Sequence, residues 1–330
     1  MNTIIKAGSE QNWQQNNLFL SCNFNINCNF QCSYCINKKF RSNFNEQLSQ
    51  KALYNLFSNL PLLKKDFYSF SIAGGEPSLY QHFPDVLKYM KEFFPPNKIK
   101  ATWLTNGSLL HKLEEYFKDY RAYDFNLTIT LHLEQMNAET YLKKLSEFKY
   151  PDMCTIKIML EPGTLKQIDS IIEKTKNFGY KKFNVQPVII SQKLHPNYTN
   201  EEMDFIKNSA YGPKLILFNE YLRENKTIKK EFTQDEFNIN PELINYKGLK
   251  CLAGYNSLII SPDGAISSCY STMKNSVCNI NSDSLINYMA EYEPITCQNP
   301  WCACGTYTAI PKWNPKYSEA PNYFIKNFPK

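Results

Sequence analysis

Strand-like and helix-like segments alternate about six times between residues 17 and 190 of this 330-residue chain. The strand-like runs are rich in apolar, β-branched and aromatic residues, whereas the helix-like runs carry apolar residues at helical spacing. The predicted strands cover 17–24, 66–73, 98–105, 124–133, 155–161 and 182–190, and the predicted helices cover 45–60, 85–94, 109–120, 137–148 and 164–179. Such alternation predicts a parallel sheet with helices outside it.

Six strand–helix units are too few for a closed eight-fold barrel, so the predicted fold class is α/β with a partial (β/α)6 barrel. Functional residues of such folds lie at the carboxyl ends of the strands. The predicted regions are a barrel core at 1–190, a linker of helices and loops at 191–247, and a cysteine-rich domain with a β-hairpin at 248–330. Within the linker, helices are predicted over 199–210 and 214–232.

Eleven cysteines are distributed unevenly along the chain. Four lie near the N-terminus, six lie between residues 251 and 304, and only Cys154, interpreted as a core thiol, lies between these groups. No signal peptide and no run of ~18 apolar residues is present, so we expect a cytoplasmic protein without a membrane span. In that reducing compartment, clustered thiols indicate metal binding or catalysis. The formal charge of +6 is dispersed, which argues against a nucleic-acid partner.

The stretch CNFQCSYC places Cys28, Cys32 and Cys35 in the spacing C-x3-C-x2-C, directly after the first predicted strand. Three thiols so close together cannot all pair with one another, and structural zinc usually takes four protein ligands in paired spacings. A [4Fe–4S] cluster held by three thiolates leaves one iron open for a substrate or cofactor. Cys22 lies inside the predicted strand and is interpreted as a packed thiol.

A second motif, AGGEP at residues 73–77, ends the second predicted strand. Its glycines, Gly74 and Gly75, allow backbone to approach a ligand closely, Glu76 can pair with an ammonium group, and Pro77 fixes the exit turn. In this order and at these strand ends, the cysteine triplet and AGGEP resemble the radical S-adenosylmethionine (SAM) superfamily. The resemblance covers about residues 16–190.

The resemblance implies that Cys28, Cys32 and Cys35 bind a [4Fe–4S] cluster whose fourth iron is chelated by SAM. It also implies that Gly74, Gly75 and Glu76 hold the methionine moiety, with Glu76 facing the ammonium group. The implied cofactor-binding residues are Tyr34 near the adenine, Gly74, Gly75, Glu76, Pro77, Asn106, Thr130, Gln186 and Val188. His132 departs from the pattern, because many relatives carry an acidic residue at that place.

In this superfamily, the reduced cluster cleaves SAM to a 5′-deoxyadenosyl radical, which abstracts hydrogen from a substrate C–H bond. The resemblance therefore implies an oxidoreductase, an isomerase or a peptide-modifying maturase, with an electron donor such as flavodoxin or ferredoxin. The alternative outside enzymology is a non-catalytic iron–sulfur or zinc-binding protein. The two intact motifs argue against that alternative.

The tail carries a second cysteine pattern, C-x12-G-x4-C, from Cys251 to Cys269. The segment SLIISPDGAISSC predicts a hairpin with a PDG turn, which would bring these two cysteines together. The pattern resembles the SPASM or shorter twitch extension of radical SAM enzymes. That resemblance implies one auxiliary [4Fe–4S] cluster held by Cys251, Cys269 and two of Cys297, Cys302 and Cys304. A structural zinc is the alternative, since four thiolates also suit zinc.

Cys278 remains outside these ligand sets. It is either a buried thiol or a hydrogen donor of the kind found in some radical SAM peptide epimerases. Family frequency favours a peptide substrate. Only about 20 residues precede the first predicted strand, so no separate leader-binding domain is expected there. The alternative is a radical dehydrogenase or epimerase that acts on a sugar, an aminocyclitol or another small polar metabolite.

Overall fold

The computed structural model describes residues 3–35, 37, 46–118, 122–190, 193–208, 216–224, 226–233, 245–270, 276–281, 284–300, 302 and 309–327. Its strands are β1 (Thr3–Gly8), β2 (Asn17–Asn23), β3 (Phe67–Ala73), β4 (Ile99–Thr105), β5 (Asp124–Leu131), β6 (Cys154–Leu160), β7 (Lys182–Pro187), β8 (Ile189–Ile190), β9 (Lys193–Leu194), β10 (Ile216–Arg223), β11 (Lys226–Thr233), β12 (Lys250–Cys251), β13 (Ser257–Ile260), β14 (Ala265–Ser267), β15 (Cys278–Asn279), β16 (Ile295–Thr296) and β17 (Lys312–Trp313). Its helices are α1 (Glu10–Gln14), α2 (Gln50–Asn59), α3 (Phe83–Phe93), α4 (Leu110–Phe117), α5 (Ala138–Glu147), α6 (Leu165–Asn177), α7 (Asn200–Asn208), α8 (Ser284–Ala290) and α9 (Asn322–Asn327).

The six strands β2 to β7 lie side by side in chain order, and each pairs in parallel with the next. This arrangement confirms the predicted parallel sheet of a partial (β/α)6 barrel. The tail extends the same sheet, because β13 pairs in parallel with β2 and is followed by antiparallel β14 and β15. Among the described residues, the sheet order is β15-β14-β13-β2-β3-β4-β5-β6-β7.

Alternating side chains explain why these segments form barrel strands. In β6, Ile156, Ile158 and Leu160 are buried, whereas the residues between them are only half-buried and face the barrel interior. The helices cover the other face, as in α6, whose buried residues are spaced three or four apart. At the start of α5, the Asn137 side chain accepts a hydrogen bond from the Thr140 N–H and so caps the helix.

The predicted helix over 214–232 is wrong, because this segment forms the antiparallel hairpin β10–β11. Arg223 at the end of β10 pairs with Lys226 at the start of β11, and Glu224 has a positive φ of 50°. The other edge of β10 pairs with β1, so strand partners on both sides outweigh the helical propensity of the segment. The other predicted linker helix, over 199–210, is present as α7.

A second sheet has the order β11-β10-β1-β17-β12-β16 in the described part of the chain. It joins the N-terminal strand to strands of the tail, while the tail hairpin belongs to the barrel sheet. The division at residues 190 and 247 stays a prediction. No helix among the described residues is long and apolar enough to span a bilayer.

Lys65 connects the barrel to the tail from a buried position. Its Nζ donates hydrogen bonds of 2.9 Å to Asn16 Oδ1 and to the Tyr255 carbonyl, and it lies 3.2 Å from the centroid of the Tyr255 ring. Burial holds the pKa of this amine well below its usual value. The contact between the barrel and Tyr255 of the tail therefore depends on a lysine whose charged form is disfavoured in the folded state.

The Lys65→Met substitution tests this coupling through pH. Below the unfolded pKa of ~10.4 and above the lowered folded pKa, the unfolded chain binds one more proton than the folded chain. The free energy of unfolding should therefore rise with pH in this window, by at most about 1.4 kcal/mol per pH unit from this group. Urea unfolding at about pH 8 and pH 9.5 should show a larger rise for the wild type than for the variant. Parallel pH dependences would contradict the assignment.

Candidate active site at the carboxyl ends of the barrel strands

A cavity of about 270 Å³ lies at the carboxyl ends of the barrel strands. Of the residues predicted from sequence, it is lined by Cys28, Cys32, Tyr34, Cys35, Gly74, Gly75, Glu76, Asn106, Thr130 and Gln186. Pro77 and Val188 are not among the lining residues: Pro77 opens the turn after Glu76, and buried Val188 donates its N–H to Tyr198 Oη at 2.7 Å. The fold therefore brings the cysteine triplet and the glycine-rich motif to one cavity.

Gly74 and Gly75 are needed because the chain's own backbone lies against them. A Cβ on Gly75 would lie 2.0 Å from the Asn27 carbonyl oxygen, and one on Gly74 would lie 2.3 Å from that of Asn25. The N–H groups of Gly75 and Glu76 donate to these same two carbonyls at 2.8 and 2.7 Å. The glycines thus let the AGGEP turn close against the segment just before Cys28; their contact with SAM stays a prediction.

Glu76 is 1% exposed and its carboxylate is fixed by donors from two strand ends. Oε1 accepts from Ser78 N and Oγ at 3.1 and 2.7 Å and from Thr105 Oγ1 at 2.8 Å. Oε2 accepts from Asn106 N at 2.7 Å. Because a carboxylate oxygen has about two acceptor positions, Oε2 retains capacity for one further donor. That capacity suits an ammonium group.

Asn106 connects the end of β4 to the cysteine loop. Its Nδ2 donates to Asn29 Oδ1 at 2.9 Å and lies 3.9 Å from Cys28 Sγ. Its Oδ1 accepts from Ser108 N and Oγ at 2.9 and 2.6 Å, which fixes the orientation of the amide. An N–H group directed at a cysteine sulfur stabilises the thiolate form that metal binding requires.

Two carboxylates tie the same loop to the ends of β5 and β6. Ser33 donates from N and Oγ to Glu134 at 2.5 and 2.8 Å, and Tyr34 Oη donates to Glu161 at 2.8 Å. Tyr34 Oη also lies 3.0 Å from His132 Nδ1, and the two rings are stacked. Burial lowers the pKa of His132 to about 4 and raises that of Glu161. His132 is therefore neutral at pH 7 in this structure.

Three further residues at the site, Glu134, Glu161 and Lys157, were not predicted from the sequence. Glu134 follows the predicted strand 124–133, and Glu161 is the last residue of the predicted strand 155–161; these positions at strand ends were the available signal. Lys157 lines the cavity from β6, and burial lowers its pKa. Within the described part of the chain, it makes no hydrogen bond or ion pair. Lys157 alternates with the buried residues Ile156 and Ile158 along β6. The same alternation in the sequence TIKIMLE could have indicated that this lysine faces the barrel interior.

The cysteine triplet fits the cluster that the motif implies. Cys28, Cys32 and Cys35 line one cavity with open space beside them, and burial, followed by the charges of Glu134 and the other two cysteines, raises the pKa of Cys32 to about 12. A thiol in this environment needs a bound metal to remain deprotonated at pH 7. Cys22 and Cys154 are buried in the core, as predicted for packed thiols.

Three tail cysteines, Cys251, Cys297 and Cys302, lie around the buried Tyr246, and all three raise its pKa electrostatically, after the larger effect of burial. Cys251 lies on β12, and the N–H of Cys297 donates to the Leu249 carbonyl at 2.8 Å. We call these three residues the tail cysteine group. Cys304 lies outside the described residues. Within those residues, no three His, Cys, Asp or Glu side chains are placed to hold a single metal ion.

The remaining two tail cysteines, Cys269 and Cys278, lie next to or within strands of the barrel sheet and not of the second sheet. The predicted hairpin is present as β13–β14, with Ile260 opposite Ile266, and Cys269 follows β14. The closeness of Cys269 to Cys251 stays a prediction. Cys278 lies on β15 at the edge of the barrel sheet and is not among the residues that line the cavity, so its role as hydrogen donor also stays a prediction.

A parallel partial barrel that gathers three cysteines and a glycine-rich turn at its strand ends defines a cofactor-dependent enzyme core. Residues 22–208 match the Radical SAM superfamily. The chain belongs to this superfamily, whose members bind a [4Fe–4S] cluster and SAM. The auxiliary cluster is treated below as a proposal.

Among curated proteins, the chain is similar to the GTP 3′,8-cyclase of Haemophilus ducreyi, with 24% identity over 246 residues. The match covers 68% of this chain but 63% of that protein. Among solved structures, Streptococcus suis SuiB bound to precursor peptide SuiA has a TM-score of 0.54 at 20% identity, over 83% of this chain and 64% of that one. The structure of anSMEcpe with bound AdoMet has a TM-score of 0.53 at 16% identity, over 84% of this chain and 78% of that one. These likenesses support the fold.

The Gly75→Ala substitution tests the contact between the AGGEP turn and the cysteine loop. Its Cβ would meet backbone that cannot move without shifting Cys28, so we expect most of the cluster iron and more than about 2 kcal/mol of stability to be lost. Iron analysis after anaerobic reconstitution and urea unfolding measure both effects. Gly163→Ala is the control, because its Cβ would meet nothing within 4 Å despite a φ of 86°. Equal iron contents in the two variants would contradict the prediction.

Proposed function

We propose that this protein is a radical SAM enzyme that reductively cleaves SAM and abstracts hydrogen from a C–H bond of a peptide. The observation that carries the proposal is the convergence of Cys28, Cys32 and Cys35 with the AGGEP turn on one cavity. When bound there, the cluster and SAM supply a 5′-deoxyadenosyl radical.

The chain's own residues would bind and orient these groups. The three cysteines would hold three irons, and the free acceptor capacity of Glu76 Oε2 would receive the methionine ammonium group.

The adenosine part of SAM would lie against other residues of the cavity. Tyr34, which is hydrogen-bonded to Glu161 and stacked on His132, would present its ring to the adenine. Thr130 and Gln186, which line the cavity, would face the adenosine. Apolar lining side chains such as Phe30, Leu104 and Met159 would limit the access of water to a reactive radical.

A peptide substrate is supported by the likeness in fold to SuiB, whose structure holds its precursor peptide SuiA. A small polar substrate is the second candidate, because a curated relative that matches over 68% of this chain is named for a reaction of GTP. This second candidate includes the radical dehydrogenase and epimerase alternatives. An electron donor such as flavodoxin or ferredoxin belongs to either proposal.

We also propose that the tail binds one auxiliary [4Fe–4S] cluster. The tail cysteine group supplies three thiols in one neighbourhood, and Cys269 and Cys304 are the candidates for the fourth ligand. Thiolates are the donors that iron–sulfur clusters prefer in proteins. A structural zinc in the tail is the competing proposal.

Iron counting tests both clusters together. After anaerobic reconstitution, we expect about eight irons in the wild type and about four in the Cys28→Ala/Cys32→Ala/Cys35→Ala variant. Reduction with dithionite in the presence of SAM should release 5′-deoxyadenosine from the wild type only. About four irons in the wild type and none in the triple variant would contradict the auxiliary cluster. Absence of 5′-deoxyadenosine from a protein with full iron would contradict the enzyme.

The Lys157→Met substitution tests how the cavity holds SAM. Lys157 is a cation without a partner among the described residues, so we expect it to pair with the methionine carboxylate. Loss of this pair should weaken SAM binding at least tenfold, or about 1.4 kcal/mol, in equilibrium dialysis. Affinity for decarboxylated SAM should change little, and Lys100→Met, at an exposed position of β4, is the control. Equal losses for SAM and its decarboxylated analogue would contradict the pairing.

A further inference from the structure

A buried lysine lies beside the tail cysteine group. Lys312 on β17 is 1% exposed and is the direct cross-strand partner of Cys251 on β12. Directly opposite residues of an antiparallel pair share one face of the sheet. Lys312 Nζ donates to the Ile310 carbonyl at 3.1 Å and lies 5.1 Å from the ring centroid of Tyr246. The ammonium group therefore occupies the neighbourhood of Tyr246 that Cys251, Cys297 and Cys302 share.

The residues around Lys312 are apolar, which strengthens the effect of its charge on neighbouring groups. On its other side, Lys312 pairs with Ala7 of β1, and Ala7 belongs to an apolar cluster with Ile4, Leu217 and Tyr246. A charge held in such apolar surroundings interacts strongly with nearby charges, because little water screens it. Lys312 therefore places a positive charge where it favours negative charge on the neighbouring sulfur atoms.

We propose that Lys312 is the electrostatic partner of the auxiliary cluster and raises its reduction potential. The inference rests on the proposed auxiliary cluster. A cubane with four thiolate ligands is anionic, and one-electron reduction adds one negative charge to it. A fixed neighbouring cation stabilises the reduced form more than the oxidised form. Lys312 therefore favours a tail cluster that accepts an electron.

Lys312→Met tests the proposal, because methionine has a similar length and no charge. The full chain carrying Cys28→Ala/Cys32→Ala/Cys35→Ala isolates the tail cluster for potentiometric titration followed by EPR. We expect the reduction equilibrium to become at least tenfold less favourable, which corresponds to a midpoint potential about 59 mV lower for one electron. Lys312→Arg, which keeps the charge, should stay within threefold of the parent.

Lys250→Met is the matched control. Lys250 precedes Cys251 on β12 and pairs with Trp313, so it lies on the opposite face of the strand, and its Nζ reaches the Pro294 carbonyl at 3.5 Å. An unchanged potential in Lys312→Met, or an equal shift in Lys250→Met, would overturn the proposal. If Lys312→Met does not retain iron, Lys312→Gln and Lys312→Arg decide. Iron retained only with arginine supports a requirement for charge, and loss of iron with arginine as well overturns it.

The triple-cysteine variant also distinguishes the role of Lys312 from the existence of the auxiliary cluster. If the triple-cysteine variant with native Lys312 binds no iron, the auxiliary cluster itself is refuted and the role of Lys312 with it. If that variant binds about four irons but its potential does not respond to Lys312→Met, the cluster stands and only the role of Lys312 fails.

Discussion

The site depends on a backbone contact: the AGGEP turn donates two N–H groups to the carbonyls of Asn25 and Asn27, across a gap that admits no Cβ. This contact fixes the segment that leads into Cys28 against the end of the neighbouring strand. Glu76 then extends the connection to β4 through Thr105 and Asn106. The cysteine loop is thus positioned by hydrogen bonds within the protein and not by the metal alone.

The far side of the cysteine loop is held differently. There, side-chain carboxylates after β5 and β6 receive donors from Ser33 and Tyr34. One side of the loop is therefore fixed by backbone contact and the other by charged side chains. Replacing a carboxylate leaves the packing in place, whereas adding a Cβ to the glycine-rich turn does not, so the two sides should differ in their tolerance to substitution.

The barrel was predictable because its strands alternate with amphipathic helices over a long stretch, and because the cysteine triplet and AGGEP both follow strand ends. The hairpin β10–β11 was not predictable by the same means. Its residues are compatible with helical periodicity, and one of the two pairings that fix β10 is with β1, more than 200 residues earlier in the chain. The roles of Lys157 and Lys312 were not predictable from the sequence for a related reason. They depend on the burial of each lysine and on the residues that lie opposite it in the fold. The contact of the glycines with protein backbone also required the structure.

The second sheet has a consequence for the order in which the protein forms. Strand β1 lies between β10 and β17, so residues 6 and 7 pair with residues 312 and 313 near the opposite end of the sequence. During synthesis the barrel strands can associate as they emerge, but β17 reaches its partners only after residues 312 and 313 have left the ribosome. The neighbourhood of Cys251 and Lys312 is therefore completed after the barrel strands. Until β17 pairs, Cys251 lacks its cross-strand partner Lys312 and the strand that covers that edge of β12.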